Sequence, residues 1–551
     1  MEKEYSVLVG GEAGQGSRKL GLLIGKLFSS YGYNVFIYDD YQSLIRGGHN
    51  FSQIRASEKK VLTHREKVDF LLALDELTVK QHIKQLKKGG IIIYNSDRIS
   101  LSQKNAVGIG AETVARKIGA PLTANTVLFS AFAKTIGINW SVLEKFLRKE
   151  FHKFQEENIK VAKEGFEKAQ KKIEIKKIGN IPKPLLTGNE ALSLGAVRAG
   201  LDLYIAYPMT PASGILHYLS ANRKKFGVKV AQLENEVGIA NTALGAVYAG
   251  ARTMVGTSGG GFALMTEALS LACQAELPLM IVESQRPSPA SGVPTYTAQG
   301  DLLFVLTAGH GDFVRFVCAP GDAEEAYYWA GKLLNLSWKY QTPSILLVDK
   351  EISESTFTFD EKAVEKIKKE EPLLWDKKGE YLRYKITKNG ISPLAFPGEK
   401  DVVVKANSYE HDEFGITVDE EDKVEEMQSK RLRKFALMKK EIEKLKAVNV
   451  YGKKNAKKAI IVWGSTKGPA KEIAEKKGIK MIQPVVLEPF PEKEMKKALQ
   501  GVKKVAVIET NGLSQLGKIL NCYQIKVDKK ILKYDGRPFL PEEIERKLAG
   551  F

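Results

Sequence analysis

Short runs rich in Val, Ile and Leu alternate along this chain with longer stretches whose apolar residues recur at helical spacing. In the first third, residues 5–10, 34–38, 51–56, 71–74 and 90–94 read as strands. Residues 17–31, 125–136 and 140–170 read as helices. A polar linker with two prolines, 171–184, marks a boundary. A second alternation follows, with a helix over 188–199 and strands over 203–206, 228–232, 254–257, 279–283, 313–318 and 344–349. Residues 377–418 are rich in Gly, Pro and charge, and the spacing then predicts one long charged helix over 419–448. Strands at 459–464, 480–484 and 504–509 close the chain. Strand–helix alternation of this kind predicts an α/β protein of several doubly wound domains. The expected divisions are 1–180, 185–350, a connecting segment 351–455, and 456–551.

Composition narrows the picture. At 551 residues, 43% hydrophobic and 27% charged, the chain is too long for one core and ordinary for a globular protein. No apolar run is long enough to cross a bilayer. The start, Met1-Glu2-Lys3-Glu4, lacks the basic-then-apolar pattern of a secretory signal, so a cytoplasmic location without membrane attachment is expected. Three cysteines, Cys273, Cys318 and Cys522, form no CxxC pair. That speaks against a disulfide framework, a structural zinc or an iron–sulfur cluster on this chain, and all three read as buried thiols. The net charge of +19 is compatible with nucleic acid, an acidic partner or a phosphorylated ligand. The lysines are interleaved with glutamates on amphipathic helices, and no aromatic-rich basic stripe accompanies them, so a solvated surface is expected and nucleic acid is not.

Several segments could carry chemistry. Gly10-Gly11-Glu12-Ala13-Gly14-Gln15-Gly16 follows a strand and opens a helix, which suits either a phosphate-bearing ligand or a tight structural turn. Arg46-Gly47-Gly48-His49-Asn50 puts a cation in a flexible loop. Tyr207-Pro208-Met209-Thr210-Pro211 holds a hydroxyl between two prolines that restrict the backbone. Glu234-Asn235-Glu236 opens a helix of small residues, where a carboxylate could act as an acid–base group or simply complement the helix N-terminus. Gly256-Thr257-Ser258-Gly259-Gly260-Gly261 and Glu283-Ser284-Gln285-Arg286 both end strands, and an arginine at the carboxyl end of a parallel strand lies where ligands bind. Tyr409-Glu410-His411-Asp412-Glu413 reads as structural, because adjacent residues rarely converge on one metal ion.

Taken in order, these motifs resemble the alpha subunit of the 2-oxoacid:ferredoxin oxidoreductases, with the gamma domain fused at its N-terminus, in the pyruvate:ferredoxin oxidoreductase superfamily. The resemblance rests on the GGEAGQG and SLIRGGHN segments, YPMTPAS, ENEVG, GTSGGG and the run from Gln285 to Thr295. LEPFP at 487–491, the segment 509–516 and YDGRPF at 534–539 resemble the transketolase C-terminal-like domain of the same family. The resemblance implies a thiamine-binding, transketolase-like pyrimidine-type domain over 185–350. It implies that Glu236 faces the aminopyrimidine of thiamine diphosphate, with Tyr207 and Pro208 beside the cofactor. Thr210 would face the 2-oxoacid, and Arg286 would clamp its carboxylate. Gly14, Gly16, Arg46 and His49 would contact coenzyme A or substrate. Met209 stands where the family usually has isoleucine. Tyr296 stands where a basic residue is common, which bears on selectivity for a second substrate carboxylate.

The chain has no GDG motif for a magnesium-bound diphosphate. The resemblance puts that site and a 4Fe-4S cluster on a separate beta subunit, which would complete the active site. The implied activity is CoA-dependent oxidative decarboxylation of a 2-oxoacid, with 2-oxoglutarate or broad specificity favoured and electrons passed to ferredoxin. A pyruvate-specific member is the alternative within the family. A non-catalytic scaffold and a nucleic-acid-associated basic protein are the alternatives outside it.

Overall fold

The computed structural model describes residues 3–44 and 47–551. Two compact units emerge, Met1–Leu186 with Ser355–Asp360, and Thr187–Glu354 with Glu361–Phe551.

The first unit is built on an eight-stranded sheet. Its spatial order is Ala106–Ile109, Leu86–Asn95, Val68–Ala73, Glu4–Ala13, Gly47–Ser57, Asn34–Asp40, Thr356–Thr358 and Leu185–Thr187. Val7, Leu8 and Val9 of the central strand are fully buried. This strand runs parallel to Val68–Ala73, with Val9 opposite Leu72, but antiparallel to Gly47–Ser57, with Val9 opposite Ser52. The expected parallel winding therefore holds on one side only. The connection between Asn34–Asp40 and Gly47–Ser57 is too short for a crossover helix, and the two strands pair antiparallel, Phe36 opposite Arg55. The segment Ser355–Asp360, expected in the connecting region, joins this sheet instead. Thr358 Oγ1 accepts the Val35 N–H at 2.6 Å. The single helix expected over 140–170 is two, Trp140–Glu150 and Gln155–Lys168. Gln155 Nε2 donates to the carbonyls of Arg148 and Phe151, both at 2.8 Å, and so caps the first helix.

The second unit holds two sheets. The larger runs Val486–Glu488, Phe316–Cys318, Ser344–Asp349, Met280–Gln285, Thr253–Thr257, Leu203–Ala206 and Lys229–Gln232. Its last six strands are parallel, with Val255 opposite Ile281 and Ile281 opposite Ile345. Their near-continuous apolar runs fit a sheet covered on both faces. The smaller sheet runs Val448–Gly452, Lys480–Pro484, Lys458–Val462, Lys504–Glu509 and Lys529–Leu532. The long helix ends at Ile442, short of the expected 448, because Val448–Gly452 leaves to form an antiparallel edge on Lys480–Pro484.

Two further expectations change. Cys273 and Cys318 are buried, but Cys522 is exposed, because it ends the helix Gln515–Cys522 on its outer side. Not every lysine is solvated: Lys430 and Lys434 are buried against Glu276, with Lys430 Nζ 2.5 Å from Oε1. Burial opposes ionisation of Glu276, yet these two ammonium groups hold its carboxyl well below the usual carboxylate range. Glu410 pairs with Arg431, and His411 Nδ1 donates to the Tyr409 carbonyl, 2.9 Å away, so this acidic run is tied into the protein.

Candidate functional site

Four loops of the second unit leave the carboxyl ends of neighbouring parallel strands, where such sheets bind ligands. After Leu203–Ala206, Tyr207 and Pro208 are exposed, while Met209 and Thr210 are half-buried ahead of a cis Thr210–Pro211 bond. After Met280–Gln285, Arg286 reaches back to this loop, and its Nη1 donates to the Thr210 carbonyl at 2.8 Å. After Thr253–Thr257, the Thr257 hydroxyl faces the sulfur of Met209 at 3.8 Å. The fourth loop delivers Glu236 at the head of the helix Glu236–Tyr248, capped by Asn235, whose side chain accepts the Gly238 N–H at 2.8 Å.

Glu236 is only 4% exposed, and its Oε1 is buried with no hydrogen-bond partner. Glu234, two residues earlier, is exposed, which separates the two carboxylates that the sequence leaves in competition. A buried carboxylate oxygen without a donor is costly unless something else supplies one. Gly261 makes room beside it. A Cβ at residue 261 would lie 2.6 Å from Glu236 Oε1 and closer still to Thr257 Oγ1. An orphaned acceptor in a glycine-lined recess fits a planar heterocycle carrying a ring N–H donor. It thus fits the pyrimidine of thiamine diphosphate. Thr210, Arg286 and Glu236 are therefore linked through Met209, Thr257 and Gly261.

Behind these loops lie acids that the sequence did not single out as a group. Glu283 is fully buried with neither carboxylate oxygen hydrogen-bonded. Burial, aided by Asp301 and Asp349, raises its carboxyl well above the ordinary value. Asp301 abuts Gly259, and burial raises its carboxyl to about 6. Burial also lowers the pKa of Arg286.

The remaining sequence candidates belong to the first unit. Gly14 lines a cavity of 340 Å³ with Gln15, Asn95, Arg98, Arg116 and Asn125. Gly16 is left-handed at φ 82°, and Asn125 Nδ2 donates to the Gln15 carbonyl at 2.6 Å, so the glycine turn is tied to the far wall of that cavity. Both arginines reach Glu112. His49 is not in a solvated loop. It is 6% exposed, and its Nε2 lies 2.7 Å from His82 Nε2, while His82 Nδ1 lies 2.7 Å from Gln85 Oε1. Burial first, and His82 second, lower the pKa of His49. His82 was missed, since a lone histidine in a short helix carries no signal of its partner. Arg46 lies outside the described residues. Among the described residues, no three His, Cys, Asp or Glu side chains gather as ligands for a metal ion.

Three family models match the chain. Residues 194–430 match the family described as pyruvate flavodoxin/ferredoxin oxidoreductase, thiamine diP-bdg. Residues 6–168 match pyruvate ferredoxin/flavodoxin oxidoreductase, and residues 456–544 match pyruvate:ferredoxin oxidoreductase core domain II. An α/β chain with this site and these three matches is a thiamine-diphosphate-binding oxidoreductase subunit. It is 31% identical to the 2-oxoacid:ferredoxin oxidoreductase subunit alpha of Sulfolobus sp, over 98% of this chain and 96% of that one. It is 28% identical to the 2-oxoglutarate oxidoreductase subunit KorA of Mycobacterium tuberculosis, over 97% and 90%. A solved structure, the 2-oxoglutarate:ferredoxin oxidoreductase from Magnetococcus marinus with 2-oxoglutarate, coenzyme A and succinyl-CoA bound, superposes with a TM-score of 0.89. That match has 28% identity and covers 100% of this chain and 99% of that one. The chain belongs to the alpha subunits of the 2-oxoacid:ferredoxin oxidoreductases, enzymes built from more than one subunit.

Proposed function

We propose that this chain provides the pyrimidine-facing half of a 2-oxoacid:ferredoxin oxidoreductase active site, with 2-oxoglutarate as the favoured substrate. The orphaned, buried Oε1 of Glu236 beside Gly261 carries the proposal. Thiamine diphosphate, when bound, supplies the electron sink for decarboxylation of a 2-oxoacid. Glu236 shares a proton with the ring nitrogen of the aminopyrimidine at Oε1, with Tyr207 and Pro208 bordering the cofactor. Arg286, held at the Thr210 carbonyl, pairs with the substrate carboxylate, a geometry suited to a guanidinium. The Thr210 hydroxyl orients the keto group. The candidate contacts for coenzyme A are Gly14, Gly16 and His49 of the first unit, together with Arg46, which lies outside the described residues. For Gly14 the reading is supported by the cavity it lines with Arg98 and Arg116, whose cations suit a phosphate-bearing ligand although both also pair with Glu112.

A beta subunit would carry the magnesium-bound diphosphate site and the 4Fe-4S cluster, and pass electrons to ferredoxin. Large apolar side chains stand exposed on the very elements that form the site: Tyr207 at 39%, Val237 at 49%, Leu264 at 54% and Val293 at 45%. Such a rim suits a partner that completes the pocket. The named relatives support 2-oxoglutarate as substrate. We place the complex in the cytoplasm; among the described residues no helix is long and apolar enough to cross a membrane.

The test is the complex purified anaerobically from its own cells, assayed for CoA-dependent viologen reduction with 2-oxoglutarate, pyruvate and 2-oxobutyrate. A co-purifying cluster-bearing subunit, with highest kcat/KM on 2-oxoglutarate, is the expected result. Reduction by pyruvate alone would overturn the substrate assignment. A folded chain with no partner and no reduction would overturn the function.

A further inference from the structure

The segment that carries Arg286 is a long excursion between Met280–Gln285 and the helix Leu302–Thr307. Its outgoing limb is exposed from Ser288 through Val293. Its return limb, from Thr295 to Asp301, is largely buried, and it is bound at several points by the lobe formed by residues 456–551. The Thr297 N–H donates to the Gly536 carbonyl at 3.0 Å. Gln299, fully buried, contributes four bonds at once. Its N–H donates to the Thr510 carbonyl at 2.8 Å, and its Nε2 donates to the Trp463 carbonyl at 2.7 Å. Its Oε1 accepts the Thr510 N–H at 3.0 Å, and its carbonyl accepts from Asn511 Nδ2 at 3.0 Å. Because the amide side chain meets one backbone donor and one backbone acceptor, its orientation is fixed. Gln515 continues the row, donating to the Gly300 carbonyl and accepting the Leu303 N–H at 2.9 Å. The excursion is closed at its base, where the Asp301 N–H donates to Gln285 Oε1 at 3.0 Å, one residue before Arg286.

We propose that Gln299 is a positioning residue through which the C-terminal lobe sets the pose of Arg286 toward the 2-oxoacid carboxylate. This rests on the assignment of Arg286 as the carboxylate partner. The lobe then has a part in substrate binding, although none of its bonds reaches Arg286 directly. The path is short: the lobe holds Gln299, the backbone leads through Gly300 to Asp301, the Asp301 N–H is bound by Gln285, and one peptide bond joins Gln285 to Arg286. A shift of about 1 Å in a group that orients substrate can cost on the order of a hundredfold, so a loosened clamp is expected to register in substrate affinity.

The experiment uses the complete complex with its partner subunit and compares Gln299→Leu, Gln299→Glu and Arg286→Ala, singly and as the Gln299→Leu/Arg286→Ala double variant. Gln299→Glu keeps the acceptor for Thr510 and loses the donor to Trp463, and serves if the leucine variant does not fold. The expected result is a KM for 2-oxoglutarate raised about tenfold or more in Gln299→Leu, and less in Gln299→Glu. kcat should stay within about threefold, and thiamine diphosphate affinity, read by quenching of protein fluorescence, should not change. In the Arg286→Ala background, Gln299→Leu should add no further rise in KM, because both act on one contact. Unchanged KM with a lowered melting point, or multiplicative effects in the double variant, would overturn the proposal and leave Gln299 a purely structural residue. No turnover of any 2-oxoacid by the wild-type complex would instead defeat the functional assignment on which it rests.

Discussion

Replacing Gly261 by alanine tests the recess beside Glu236. The added methyl would sit 2.6 Å from Glu236 Oε1, whereas ordinary contact begins at 3.4 Å, so the carboxylate must retreat by about 0.8 Å. Thr257 Oγ1 lies closer still and has less freedom, because Thr257 is fully buried on a central strand. Overpacking of this kind costs about 1–3 kcal/mol, enough to lower the melting point by a few degrees. Displacing an acid–base group by nearly 1 Å is expected to lower kcat about a hundredfold. Both readouts are available on the complex, by thermal unfolding and by CoA-dependent viologen reduction. Thr257→Ala in the same chain vacates the nearer clash, so the double variant should be less damaged than the two single effects added together. If Gly261→Ala keeps kcat within threefold and its melting point within a degree, Glu236 is not held in this recess and the reasoning fails.

Asp301→Asn bears on pH. Burial raises the Asp301 carboxyl from 3.8 to about 6 in the folded protein, so its favourable contribution is complete below about pH 4 and is lost as pH rises through 6. The variant lacks that loss. Its stability relative to wild type should be level at pH 4 and higher by up to about 3 kcal/mol at pH 7, measured by paired denaturation curves; a constant difference across that range would contradict it. Arg286→Lys keeps the charge but not the paired N–H geometry, and should raise the KM for the 2-oxoacid about tenfold with little change in the KM for coenzyme A. Lys434→Met leaves Glu276 with one of its two buried cations, and should destabilise the chain by about 3 kcal/mol without changing KM for either substrate.

The candidate site was legible because each of its motifs ends a parallel strand, and parallel strands announce themselves by continuous apolar runs such as Met280–Gln285 and Ser344–Asp349. The family resemblance favours Glu236 over its competitor Glu234, and of the two it is Glu236 that is buried while Glu234 is exposed. Pairings between distant segments were not legible. Thr356–Thr358 joins a strand more than three hundred residues away in sequence, and Val486–Glu488 leaves its neighbours for the larger sheet. Three-residue strands give too little periodicity to read, and their partners are chosen by tertiary packing. The break at Phe151–Phe154 escaped because Gln155 ends the preceding helix through its side chain, without a glycine or proline to mark it. Gln299 escaped for a similar reason: three of its four bonds run to backbone groups of another lobe and the fourth to the Asn511 side chain, partners that no local pattern announces.

The most direct measurement is steady-state turnover of the native complex with 2-oxoglutarate and coenzyme A, wild type against Glu236→Gln. The substitution preserves shape and removes the ability to hold and return a proton. The account predicts a fall in kcat of at least about a hundredfold, with the KM for 2-oxoglutarate within about threefold. A Glu236→Gln complex that turns over within threefold of wild type would contradict it.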